Sequence, residues 1–272
     1  MIINFLIIIQ ETMKNLLELN EDCEKNESMS ESEGDGKVEN YLDFFNGYKE
    51  NDGERIDTIE NTELSSEFYE KIPVWRRSAV EKAFENSDSQ YIEFVDKYKG
   101  NLEVGYAQED EGSFYRDNKI FMNENYDDDE YAEVFSHELG HYLDEQQGWY
   151  SQRAEYIDAV NADALSSMEE QRRQEMLDEL FAGDVCYNRH VSDILSSMGM
   201  NNSAVVERYW DEGVPYYQHS TEYLCYKNRR QNEIYANMMV CRAENNEETL
   251  EFLKKYFPHT YNETMNSMED AK

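Results

Sequence analysis

The sequence predicts an α+β fold that is mainly helical, with a small antiparallel or mixed sheet beside one long helix and a helical subdomain after it. Three observations predict it. Between residues 102 and 122, short apolar and aromatic runs are separated by turn-forming residues, as brief strands require. From Asp127 to Asp144 apolar residues recur at i, i+3 and i+4, the period of a half-buried helix. Beyond Gly148, long helical patterns follow over residues 156–167 and 169–181.

In chain order, residues 1–9 are apolar but lack a basic start and a small-residue cleavage site. They are also too short to span a bilayer, so membrane insertion is not expected. Met13 followed by Lys14 offers an alternative start, and residues 1–12 read as a mis-assigned one, with a truncated secretion signal as the alternative. The expected location is therefore cytoplasmic, with virion association or non-classical release as alternatives. Residues 13–62 are acidic and poor in apolar side chains, so they are expected to be largely disordered, with residues 41–45 as a short turn or docking segment. Order is expected from residue 63, in a domain over 63–272 made of an N-terminal subdomain (63–148) and a helical C-terminal one (149–272).

Within that domain, 65–71, 73–86 and 89–99 read as helices. Pro73 suits the first turn of the second, Val74, Trp75, Val80 and Phe84 supply its buried side, and Gly100 ends the third. Residues 102–106 look extended, and Phe114-Tyr115 pairs with Lys119–Met122. Asp127 then caps the long helix, with Glu130 three residues on, and Asp128, Asp129 and Glu130 suit the positive end of its dipole. Tyr131, Val134, Phe135, Leu139, Tyr142 and Leu143 form the apolar stripe, while His137, His141 and Asp144 share another. Gly148 is the stop.

Charge narrows the function. With 25 basic against 60 acidic residues the net charge is −35, which repels phosphate backbones and anionic membranes and disfavours nucleic-acid binding. The four cysteines (Cys23, Cys186, Cys225, Cys241) form no C-x-x-C pair, and reduced thiols are the simplest reading.

The chemistry is concentrated in His137-Glu138-Leu139-Gly140-His141. Four helical residues advance about 400°, so both imidazoles point the same way one turn apart. That spacing suits two neutral nitrogens on one zinc ion, with Glu138 beside the reacting water as general base. Asp144 is placed either to orient a ligating histidine or to sit solvated on the surface. Two histidines leave a catalytic zinc site one protein ligand short. The extended pattern H-E-x-x-H-x-x-G-x-x-H does not supply it, because Asp144 and Gln147 stand where Gly and His would be.

The strand–helix order around this motif resembles the zincin metallopeptidases, and Asn232-Glu233-Ile234-Tyr235-Ala236-Asn237 resembles the second helix of their glutamate-ligand members. The resemblance implies that Glu233 is the third metal ligand, although Asn237 stands where those proteins carry an acid. It also implies that the last strand before the motif, around residues 120–122, holds an extended substrate at an open edge. The ordered segments Ser192-Asp193-Ile194-Leu195, His219-Ser220, Glu233–Asn237 and Lys255-Tyr256-Phe257-Pro258 further resemble a metallopeptidase domain of prophage minor head proteins. Here Gln218 replaces a glycine before His219 and Tyr235 replaces a phenylalanine.

The implied site holds zinc on His137, His141 and Glu233. Glu138 moves the proton, and His219 stabilises the oxyanion, with Tyr217 and Tyr223 as alternatives and a fourth ligand or a packed histidine as other readings of His219. His190 and His259 are left as structural or surface residues, and Tyr235, Met238, Met239 and Cys241 as core. The expected activity is zinc-dependent hydrolysis of a peptide or protein substrate. The alternative is a prophage head or assembly protein that binds metal without appreciable catalysis and has phage structural proteins as partners.

Overall fold

The computed structural model describes residues 64–108, 111–201 and 203–270, so the expectations for residues 1–62 fall outside it. The described chain is mainly helical with one three-stranded mixed sheet. Helices α1 (Ser66–Glu70), α2 (Arg77–Ala83) and α3 (Ser89–Tyr98) come first. Pro73 does not open α2 directly. A 3-10 turn, Val74–Arg76, intervenes and leaves Val74 and Trp75 71% and 66% exposed, contrary to the expected buried side. The cause is a contact distant in the chain: Arg76 reaches forward to the Asp128 carboxylate at 2.6 Å and to the carbonyls of Glu124 and Tyr126, and Val80 and Phe84 carry the burial instead. Asp88 caps α3 by accepting from the Tyr91 N–H, and Gly100 lies inside a further 3-10 turn rather than ending the helix.

Strands β1 (Glu103–Tyr106), β2 (Phe114–Arg116) and β3 (Lys119–Met122) form the sheet in the order β1-β3-β2. Asp117 and Asn118, both at positive φ, make the two-residue turn that folds β2 antiparallel onto β3. On its other side β3 pairs with β1 in parallel. This corrects the expected substrate edge, because the strand at residues 120–122 is central and its backbone groups are already engaged on both sides. The open edges are β1 and β2.

Helix α4 (Asp128–Gln146) lies against this sheet. Asp127 accepts from the Glu130 N–H as the capping pattern predicts, and Gly148 at φ 72° follows the helix end. Tyr131, Phe135, Leu139, Tyr142 and Leu143 are buried in the core, and Val134 is partly buried against it. After α5 (Ala154–Ser167), α6 (Glu170–Leu180), α7 (Arg189–Ser197), α8 (Ser203–Asp211) and the short α9 (Thr221–Leu224) comes α10 (Arg229–Glu244), followed by α11 (Glu247–Tyr256) and α12 (Pro258–Asp270).

Helix α10 runs through the interior, and residues 232–241 are all buried. Tyr235, Met238, Met239 and Cys241 are core, as expected. A helix enclosed on all sides should be apolar all round, so its buried Asn232, Glu233 and Asn237 stand out. Cys186 and Cys241 are free buried thiols, whereas Cys225 is disulfide-bonded, which corrects the reading of uniformly reduced cysteines. Among the described residues no helix is long and apolar enough to cross a membrane.

Candidate metal centre

The candidate ligands come from two helices that touch. On α4, His137 and His141 share one face, with Nε2 atoms 3.2 Å apart. On α10, Glu233 meets them through Oε2, at 3.2 Å from His137 Nε2 and 3.5 Å from His141 Nε2. These three atoms form a triangle with sides of 3.2, 3.2 and 3.5 Å. Tetrahedral bonds of about 2.0–2.1 Å to N and O place any two ligand atoms about 3.3 Å apart, so the triangle has the size of one face of such a site.

Burial strengthens the fit. Glu233 is 1% exposed and its Oε2 has no hydrogen bond, although Oε1 accepts from the Tyr223 hydroxyl at 2.6 Å. Burying an uncompensated carboxylate is costly. Here three imidazole nitrogens converge on the same oxygen, the third being His219 Nε2 at 3.1 Å. Burial raises the Glu233 pKa, but the charge of His141 and the close approach of His137, His141 and His219 overcome it and hold the carboxyl well below its usual range. Reciprocally, burial lowers His137, yet its close approach to Glu233 and the charges of Glu233, Glu138 and Asp193 raise it to about 9. The pocket is therefore built for positive charge. His137, His141 and Glu233 could hold a metal ion.

The support around the ligands is partly as expected. Asn237, one turn after Glu233, turns Oδ1 to His137 Nδ1 at 3.2 Å, so an amide faces the imidazole from the position where the resemblance implies an acid. Its Nδ2 donates to Asp193 Oδ2 at 3.0 Å and to the Glu233 carbonyl at 2.9 Å. Asp144 departs from both expectations: it neither orients a histidine nor faces solvent. Fully buried, it accepts from the Ser151 N–H at 2.8 Å and from the Ser151 hydroxyl at 2.5 Å. The chain reverses at Gly148 and Trp149, both at positive φ, and this brings Ser151 onto the carboxylate. Burial raises the Asp144 pKa to about 6 against the lowering effect of those bonds.

Glu138 follows His137 on α4, is 7% exposed, and has no hydrogen-bond or ion-pair partner among the described residues. It is close enough to add to the charge acting on both His137 and Tyr223. His219, half-exposed, lies between Glu233 and Asp193, whose Oδ2 is 3.4 Å away, and stacks on Tyr223 with ring centroids 4.6 Å apart. Burial lowers its pKa, but Asp193 and Glu233 prevail and raise it to about 10. Ser220 caps α9 through the Tyr223 N–H and so aims Tyr223 at Glu233. Tyr217 points elsewhere: its ring lies under Arg189 and is 42% exposed.

Sequence reasoning left His190 as a structural or surface residue and gave Asp193 no role of its own. Asn188 caps α7, and the i, i+3 spacing from His190 to Asp193 presents both to Asn237. The available signal was the polar pair Glu233 and Asn237, one turn apart in a helix otherwise apolar at its centre. No known family pattern, characterised protein or solved structure matches the chain.

Proposed function

We propose that the protein is a zinc-dependent peptidase of the zincin type, with His137, His141 and Glu233 as ligands and Glu138 as general base. One observation carries the reading. Two imidazole nitrogens and a buried carboxylate oxygen without a hydrogen bond form a triangle of tetrahedral-site dimensions, with a second, unpaired carboxylate beside it. A zinc ion there supplies Lewis acidity, lowering the pKa of water toward neutrality and polarising a carbonyl.

The chain's own residues account for the remaining steps. Glu138 takes the proton from the attacking water and returns it to the leaving amine. His219 Nε2 lies 3.4 Å from Asp193 Oδ2, a carboxylate that favours an N–H there, which makes His219 the donor for the oxyanion. Tyr223 keeps Glu233 oriented through its hydroxyl. The substrate is a peptide or protein.

The deciding experiment is cleavage of a peptide library by the zinc-loaded full chain beside a Glu138→Gln variant. Cleavage by wild type, lost in a variant with undiminished zinc content, supports the peptidase. A zinc-loaded wild type that cuts nothing leaves the assembly-protein reading in its place.

A further inference from the structure

We propose that His190 is a positioning residue for the metal site: acting through Asn237, it holds His137 in the tautomer that turns the Nε2 lone pair toward His141 and Glu233. The inference rests on the metal-site reading above and adds a residue that does not itself reach the ion.

The amide of Asn237 is fixed at both ends. Its Nδ2 donates to Asp193 Oδ2 and to the Glu233 carbonyl, and both of these only accept, so Oδ1 is the atom that faces the histidines. Two ring nitrogens share that oxygen, His137 Nδ1 at 3.2 Å and His190 Nδ1 at 2.8 Å. An amide oxygen donates nothing, so each ring must carry its hydrogen on Nδ1. For His137 this leaves Nε2 as the atom with a lone pair, and Nε2 is the atom in the ligand triangle.

His190 makes the shorter of the two bonds. The rings of His137 and His190 lie 17° from parallel, with centroids 6.2 Å apart. His190 is 3% exposed, and its Nε2 is buried without a hydrogen bond, with the nearest carboxylate oxygen, Glu133 Oε1, at 3.5 Å. Leaving a buried ring nitrogen unsatisfied is costly. A residue present only to fill space would avoid that cost with a phenyl or alkyl group. Without the His190 N–H, only the Nδ2 bonds to Asp193 and the Glu233 carbonyl orient the amide and Oδ1 loses the shorter of its two donors, so the amide turns more easily away from the setting that keeps the hydrogen of His137 on Nδ1 and its lone pair on Nε2.

The test uses three substitutions in the full-length chain. His190→Asn keeps an N–H at the position of Nδ1, His190→Gln moves it to that of Nε2, and His190→Phe keeps ring volume with no donor. Metal-free proteins are titrated with zinc against a chromophoric chelator, and their thermal midpoints are compared. The expected result is zinc affinity within about threefold of wild type for His190→Asn, with losses of roughly tenfold or more for His190→Gln and His190→Phe. In the cobalt-substituted proteins, the shifted exchangeable Nδ1–H proton signal of His137 should survive in wild type and His190→Asn and disappear in His190→Gln. Wild-type affinity in His190→Phe, or equal losses in the Asn and Gln variants, overturns the proposal and leaves the metal-site reading intact. If His190→Phe does not fold, the Asn and Gln variants decide alone. A wild type that binds no zinc overturns the metal-site reading and this inference with it.

Discussion

A Cβ placed on Gly140 would lie 2.7 Å from the Cα of Ala236 and 2.9 Å from its carbonyl oxygen, so α4 and α10 meet backbone to backbone at these two residues. Gly140 sits between His137 and His141, and Ala236 sits between Glu233 and Asn237. The crossing point of the helices is thus also the centre of the ligand set, and only a residue without a side chain lets the two helices come close enough.

Gly140→Ala should therefore weaken both the fold and the site. Alanine gains about 1 kcal/mol in helix propensity. Forcing a methyl group against backbone typically costs about 1–3 kcal/mol and pushes the helices apart. We expect a lower thermal midpoint in the metal-free protein and weaker zinc binding, read by scanning calorimetry and chelator competition. A stabilised variant with wild-type zinc affinity would contradict this account of the crossing.

Glu233 and Glu138 should separate binding from chemistry. Glu233→Ala is expected to reduce bound zinc well below one ion per chain by elemental analysis. Glu138→Gln should keep the ion and lose peptidase activity by a factor on the order of 10²–10⁴. Loss of zinc in the Glu138 variant, or its retention in the Glu233 variant, would show that the two roles are wrongly assigned.

The pH dependence has a definite sign. In the metal-free protein His137 and His219 titrate near 9 and 10, above the ordinary histidine value of about 6.5. Their protonated pairs with Glu233 stabilise that form fully below about 6.5, and this stability is lost as pH rises through 9 and 10. Zinc has to displace the proton on His137, so its apparent affinity should strengthen with pH up to about 9. Titration calorimetry near neutral pH, in two buffers of different ionisation enthalpy, should show at least one proton released per ion. Zinc uptake without proton release would refute it.

Asp193 and His219 should affect turnover and leave the metal in place. His219→Ala is expected to lower kcat/KM by roughly 10²–10³ with zinc content unchanged. Asp193→Asn removes the charge that helps keep His219 protonated, so the alkaline limb of the pH–rate profile should move to lower pH. A limb that stays in place would mean that His219 is not the donor.

Much of this was legible in the chain. The spacing of His137 and His141, the cap at Asp127 and the apolar stripe from Tyr131 to Leu143 are short-range properties, set by 3.6 residues per turn and by where unpaired N–H groups must find acceptors. The β2–β3 hairpin and the core residues of α10 also followed from local pattern, but the parallel pairing of β3 with β1, which makes the sheet mixed, did not. Val74 and Trp75 did not, because their exposure depends on Arg76 reaching Asp128 some fifty residues away. The same holds for Asp144, whose neighbours are decided by the reversal at Gly148 and Trp149. That Glu233, among dozens of carboxylates, meets the two imidazoles, and that Asn237 ties His190, Asp193 and His137 together, is settled only where α4, α7 and α10 pack. Contacts between residues about a hundred positions apart leave no periodicity in the chain, since they arise from how closely the helices can approach, and Gly140 against Ala236 sets that distance.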